Sequence, residues 1–349
     1  MKMTWSHPII AAPMAGGVST PALAAAVSNA GGLGFLAAGY KTADAMRAEI
    51  GALRKLTDAP FGMNLFVPGE DAVDEAALAA YAERMRKEAA SYGVEPGRPV
   101  YDDDDWQGKL QVLRELSVPV VSFTFGCPSS EVVKQLQASG STVVVTVTTR
   151  VEAVTAVEAG ADALCVQGAE AGGHQAAFGN ALPDREPQSL LELLREVREA
   201  AAVPLIAAGG LMHGADVAAV LREGACAAQL GTAFLLCPES GTHAVHRAAL
   251  TDGRYAATAL TRAFTGRRAR GLVNRFMREY PDAPAAYPQL HHLTRPIRKA
   301  AGDCGDGEAM SLWAGQGYRL ARALPASQLV EVLLREAAEA MPEAGGLPS

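Results

Sequence analysis

The chain has 349 residues, of which 49% are hydrophobic and 20% charged, so it has the material for a large core and is not a disordered chain. Its net charge of -7 gives no support to a basic nucleic-acid face. No run approaches the roughly 18 apolar residues of a membrane span, and the N-terminus has no basic-then-apolar leader pattern.

Short apolar runs alternate with longer Ala-rich segments of helical period, the pattern of βα units on a parallel sheet. The first strand is expected at residues 8–12, ending in Pro13-Met14. Thr20-Pro21 then opens a helix, with threonine as N-cap and proline at the first helical position. The second and third strands are expected at 33–37 and 61–67. Residues 69–105 interrupt the rhythm. They hold a charged amphipathic helix over 74–92 and an acidic run, Asp102 to Asp105, which reads as a solvated helix N-terminus rather than a metal site.

The rhythm resumes with strands expected at 118–123, 142–147 and 163–167. A glycine-rich loop with Gly172, Gly173 and His174 follows the sixth strand. The seventh strand, 204–208, ends in Gly209-Gly210, and the eighth, 227–230, ends in Gly231-Thr232. Eight strands with interleaved helices predict an α/β fold, a (β/α)8 TIM barrel. An open doubly wound sheet is disfavoured, because no GxGxxG follows the first strand. The expected division is a barrel over 1–236, with a helical insertion at about 69–105, and a mostly helical and loop extension over 237–349, packed on the barrel without strands of its own.

The carboxyl ends of the strands carry neutral hydrogen-bonding groups and glycines. The turns at Gly209-Gly210 and Gly231-Thr232 fall where barrels bind phosphate through backbone N–H groups. The amides of Asn64 and Gln167 suit the edge of a heteroaromatic ring. A phosphorylated, flat ligand fits this inventory, and flavin mononucleotide (FMN) is the candidate. His174 adds a titratable group over the same face. The five cysteines show no metal spacing and fit a reducing, cytoplasmic setting. Cys127 reads as a bystander thiol, since nothing local lowers its pKa. His291-His292 reads as a surface or interface feature.

Taken together, several stretches resemble the nitronate monooxygenases, formerly 2-nitropropane dioxygenases. These are Ala12-Pro-Met-Ala-Gly-Gly17, Gly62-Met-Asn64, Val166-Gln-Gly-Ala-Glu-Ala-Gly-Gly-His174, Ala208-Gly-Gly210 and Gln229-Leu-Gly-Thr-Ala-Phe234. The likeness continues into Thr265-Gly-Arg267 and Trp313-Ala-Gly-Gln-Gly317, and the joint set points to the class I branch. The resemblance implies an FMN-containing barrel that oxidises alkyl nitronates, such as propionate 3-nitronate, with O2 to a carbonyl compound and nitrite. It implies that Asn64, Gln167, Gly172, Gly210, Gln229, Leu230, Gly231 and Thr232 hold FMN, that Met14 packs near the ring, and that His174 is the active-site histidine. The family often has an arginine-glycine pair after this histidine, where this chain has Gln175-Ala176. An FMN-dependent NAD(P)H enoyl-thioester or quinone reductase of the same fold is the alternative. No nucleic-acid or membrane partner is expected, no metal is assigned, and the chain is expected as a monomer or homodimer.

Overall fold

The computed structural model describes residues 5–69, 71–180 and 187–341. The chain begins with six parallel strands: β1 (Ile9–Ala11), β2 (Leu33–Ala37), β3 (Phe61–Phe66), β4 (Val120–Thr124), β5 (Thr142–Val147) and β6 (Ala163–Gln167). After the two-residue strand β7 (Gly173–His174), strands β8 (Leu205–Ala208) and β9 (Ala227–Leu230) complete a closed barrel with β1–β6. Closure is made by β9 lying parallel to β1, with Ile9 opposite Ala228 and Ala11 opposite Leu230. The eight expected strands are therefore the eight barrel strands, with ends shifted by one or two residues.

Alternation along these strands builds two cores. Ile10, Phe35, Val144, Cys165 and Ile206 form one buried cluster, joined by Trp5. The residues between them, such as Ile9, Val145, Leu164 and Ala207, belong to a second cluster that includes the surrounding helices. The helices start where the sequence supplies a cap: the Thr20 hydroxyl accepts from Leu23 N, and Thr42 does the same for Ala45 N.

The last helix, Ala326–Ala340, packs against the helices Gly214–Arg222 and Pro21–Asn29. That is the place of the eighth barrel helix, so residues 237–325 enter between the eighth strand and its helix. This inserted segment differs from expectation in having strands. β10 (Thr258–Thr261) and β11 (Ala269–Leu272) form an antiparallel hairpin. β11 also pairs with β7, placing Ala269 opposite His174. The strands are four residues long, one carries a central arginine, and the partner of β11 is far away in sequence, so no local period reveals them.

The insertion near residue 69 supplies the helix Glu75–Ser91, capped by Asp74. Its Leu78, Tyr81 and Met85 pack with Phe264, Phe276 and Leu290 of the later segment. The acidic run lies, as expected, largely exposed at the start of the helix Trp106–Glu115, and its Asp104 adds a contact with a buried side chain. Asp104 pairs with the buried Lys109 at 2.7 Å and accepts from Tyr40 N at 2.8 Å. Asp105 accepts from Ala43 N, and Asp102 lies 2.6 Å from His292 Nε2. The run also fastens three segments together, because the turn before the helix Trp106–Glu115 folds back onto Tyr40 and Ala43. No helix among the described residues is long and apolar enough to cross a membrane.

Candidate active site

A cavity of about 460 Å³ lies over the carboxyl ends of the barrel strands, within the range of about 300–1,000 Å³ usual for small-molecule sites. Met14, Asn64, Gln167, Gly172, His174, Gly210, Gln229, Leu230, Gly231 and Thr232 all line it. The ten residues singled out from sequence thus meet in one place. Other barrel-loop residues, Tyr40, Phe66 and Phe125 among them, continue the wall, and the inserted segment contributes His243, His246, Thr265, His291, Arg298 and Trp313.

The strand-end amides are held differently from one another. Asn64 Nδ2 donates to Ser122 Oγ and Thr124 Oγ1, each at 2.9 Å. That fixes the amide and leaves Oδ1 without a hydrogen bond among the described residues. Gln167 instead clamps the loop that follows it. Its Nε2 donates to the His174 carbonyl at 3.1 Å, and its Oε1 accepts from Ala176 N at 2.8 Å. Gln229 Nε2 lies 3.3 Å from Cys165 Sγ.

The backbone N–H groups of Gly209, Gly210, Gly231 and Thr232 donate to no group among the described residues. Such donors do not stay unpaired inside proteins, and a cluster of them is an anion cradle. A phosphate at this end and a ring reaching toward Asn64 Oδ1 match the donor and acceptor set, so the residues present fit an FMN.

His174 sits at the end of β7, where pairing with β11 brings the inserted segment over it. Its Nε2 lies 2.9 Å from Thr265 Oγ1. Thr265 in turn donates to the Arg267 carbonyl at 3.3 Å. With the hydroxyl proton used there, Nε2 is the donor and Nδ1 keeps its lone pair. Phe125, Trp313 and Tyr287 surround the ring at centroid distances of 5.6, 5.5 and 6.0 Å. Burial, followed by the charges of Arg267 and Arg298, pushes the His174 pKa down to about 3. The imidazole is neutral at neutral pH. His246, buried in the same wall, is pushed down to about 4, again mainly by burial.

His291 corrects the sequence reading. It is only 5% exposed and stacks on Tyr40 with ring centroids 3.8 Å apart, so it is a wall of the cavity and not a surface feature. The doublet straddles the boundary of an amphipathic helix, with His291 turned inward and His292 toward Asp102. Thr265, His246, Arg298 and Trp313 carry no strand-end signal. Only the tertiary placement of the inserted segment brings them in. Burial raises the Cys127 thiol to about 11, in keeping with a bystander role.

A smaller hollow of about 260 Å³ adjoins this cavity and shares Tyr40, Phe66, Phe125 and His291 with it. Its far wall is the acidic run with Arg267 and Arg295.

The nitronate monooxygenase family profile matches residues 1–336. A nitronate monooxygenase from Pseudomonas aeruginosa is 43% identical over 342 residues, covering 95% of this chain and 96% of the relative. A probable nitronate monooxygenase from Bacillus subtilis is 38% identical, covering 96% of this chain and 97% of its own. Among solved structures, a nitroalkane oxidase from Streptomyces ansochromogenes superposes with a TM-score of 0.93 at 55% identity, covering 97% of both chains. FabK from Thermotoga maritima superposes with a TM-score of 0.75 at 30% identity, covering 96% of this chain and 94% of its own.

Proposed function

The chain belongs to the nitronate monooxygenase family, and from that premise we propose that it oxidises alkyl nitronates, propionate 3-nitronate among them, with O2 to a carbonyl compound and nitrite, using FMN. The observation that carries this reading is a neutral, partly buried His174 in the wall of a cavity whose strand ends present N–H groups without partners among the described residues.

In this reading the N–H groups of Gly210, Gly231 and Thr232 hold the FMN phosphate. Asn64 Oδ1 accepts from the ring edge, while Met14, Gln167, Gly172, Gln229 and Leu230 shape the ring's bed. FMN bound there would supply a one-electron acceptor for the nitronate and pass that electron to O2. The chain's own part is to bind, orient and shield the substrate. His174 borders it as a neutral ring whose Nδ1 can only accept, held in orientation by Thr265 and enclosed by Phe125, Tyr287 and Trp313, so hydrogen bonds to an anionic substrate come from other donors of the wall. An imidazole with a pKa pushed to about 3 is a poor base for taking a proton from a neutral nitroalkane. A nitronate that arrives already ionised needs no such proton transfer.

The alternative, an FMN-dependent reductase drawing hydride from NAD(P)H, has the weaker likeness to FabK behind it. The test exposes the FMN-loaded protein to propionate 3-nitronate in air and, separately, to NADH without air. Nitrite release and O2 uptake with the first, and no bleaching by the second, are expected. Bleaching by NADH with no nitrite from the nitronate would transfer the protein to the reductase reading. His174→Ala should lower nitrite release by about 100-fold or more, on the scale of a lost acid–base or orienting group, and retain FMN.

A further inference from the structure

Arg298 is a cation in the cavity wall with no anion hydrogen-bonded to it among the described residues. Its Nε donates to Thr294 Oγ1 at 3.0 Å, Nη1 to Ser311 Oγ at 3.4 Å, and Nη2 to the His291 carbonyl at 3.0 Å and His291 Nδ1 at 3.3 Å. Every one of these acceptors is neutral. Of the carboxylates near this helix, Asp102 is engaged by His292 and Asp303 by Lys299. A guanidinium withdrawn from water without a counter-ion is costly, and burial lowers its pKa only to about 10, so the charge persists at neutral pH.

The neighbouring hydrogen bonds decide which protons are free. An arginine can only donate, so His291 Nδ1 accepts, and the proton of this imidazole is on Nε2. His291 Nε2 is buried and has no hydrogen-bond partner among the described residues. Burial, Arg298 and His292 all hold the His291 pKa far below the usual imidazole value, so the ring stays neutral and keeps this tautomer. Ser311 Oγ likewise accepts from Arg298, and its own proton is uncommitted among the described residues. Arg298, Ser311 and His291 all line the cavity that His174 lines. The group is built entirely of donors around one positive charge.

We propose that Arg298, Ser311 and His291 form an oxyanion subsite that receives a planar anionic group of the substrate and so selects charged substrates. This rests on the nitronate reading of the same cavity. Two substrate groups share the required chemistry: the nitronate head itself, and a carboxylate at the other end of a nitronate-bearing acid. Arginine suits either, because its fork matches a planar pair of oxygens. Arg298 is here a specificity residue, and its effect is expected in KM more than in kcat.

The test compares wild type with Arg298→Gln and Arg298→Lys, each loaded with FMN, on ethyl nitronate and propionate 3-nitronate. Loss of one charged hydrogen-bonding partner predicts that Arg298→Gln raises KM by about 10-fold or more, with Arg298→Lys in between. A rise with both substrates assigns the subsite to the nitronate head. A rise confined to propionate 3-nitronate assigns it to the distal carboxylate. Unchanged KM for both overturns the proposal. So does a loss of FMN affinity in Arg298→Gln that matches the loss of activity, which would make the cluster part of the cofactor's seat. Calorimetric titration of the FMN-loaded proteins with nitrate supplies a readout free of turnover. Wild type should bind this planar anion about 10-fold more tightly than Arg298→Gln. That difference, with no nitronate oxidation by wild type, would fail the functional reading and leave the subsite standing. Equal nitrate binding would remove the subsite. If Arg298→Gln does not fold, Ser311→Ala is carried through the same assays, with a smaller rise in KM expected and an unchanged KM counting against the subsite.

Discussion

His174 Nε2 and Thr265 Oγ1 are 2.9 Å apart, although the two residues belong to a barrel loop and to a segment inserted some ninety positions later. This hydrogen bond fixes the edge of the imidazole that turns away from Nδ1. Thr265→Val keeps the shape of a buried side chain and removes the hydroxyl. Turnover on a nitronate is expected to fall by about 5- to 10-fold, the value of one lost hydrogen bond, with FMN content unchanged. Steady-state kinetics on matched FMN-loaded protein checks this, and full activity would show that Thr265 does not set the ring.

Acid should destabilise the fold through its buried histidines. His174 and His246 have folded pKa values pushed to about 3 and about 4, against about 6.5 in an unfolded chain. Below that upper value the unfolded chain binds protons that the folded chain refuses. Stability is therefore whole above about pH 6.5 and is lost as pH falls toward the folded values, by up to about 1.4 kcal/mol per pH unit for each ring. Melting temperatures measured from pH 7 to pH 5 should fall, and His246→Gln should flatten that slope. A Tm independent of pH across this interval would refute the account.

The two glycines before His174 resist substitution for different reasons. A Cβ on Gly172 would lie 2.4 Å from Gly315 N and 2.6 Å from the Ala314 carbonyl carbon, both backbone atoms that cannot swing aside. Gly173 has open space around it but a φ of +75°. Gly173→Ala should cost about 1 kcal/mol, the ordinary penalty of the left-handed conformation. Gly172→Ala should cost more, about 2–3 kcal/mol, as overpacking does, and should loosen the loop over the cavity. Denaturant titrations of the two variants should rank them in that order.

Asp104 and Lys109 form a pair whose lysine side chain is only 1% exposed. Burial works against both charges, raising the pKa of Asp104 and lowering that of Lys109. Asp104→Asn leaves the lysine without its partner and should cost about 3–5 kcal/mol. Adding Lys109→Met should recover part of that loss, since no buried charge then remains. Unfolding free energies for the two single variants and the double variant give the coupling, and simple additivity would contradict it.

The barrel is legible in the sequence because each strand announces itself through a short apolar run and several helices through a threonine or serine cap, as at Thr20, Thr42, Ser129 and Thr149. Residues such as Asn64, Gln167 and Gln229 are legible for the same reason: they stand at the ends of runs that a barrel must gather at one rim. Thr265, His246, Trp313 and Arg298 stand at no such landmark. Their positions depend on a hairpin that completes itself by pairing with Gly173–His174, a contact between distant parts of the chain. His291 misleads because a histidine doublet in a helix rich in basic residues looks solvated, and only the helix phase against Tyr40 turns one of the two inward. The partner of Asp104 is hidden as well, since Lys109 lies inside the following helix with nothing nearby in sequence to mark it as buried.

The helix Ala326–Ala340 takes the eighth place in the ring, yet it is made last, after the whole segment that walls the cavity. During synthesis all eight strands leave the ribosome while one flank of the sheet is still bare, and the wall of the cavity emerges before that flank is covered. The apolar stripe of Leu329, Val330 and Leu333 is what covers it. The nascent chain therefore carries a nearly complete cavity on an unsealed barrel until the helix Ala326–Ala340 arrives, and removing that helix would open the barrel's side while deleting no residue that lines the cavity.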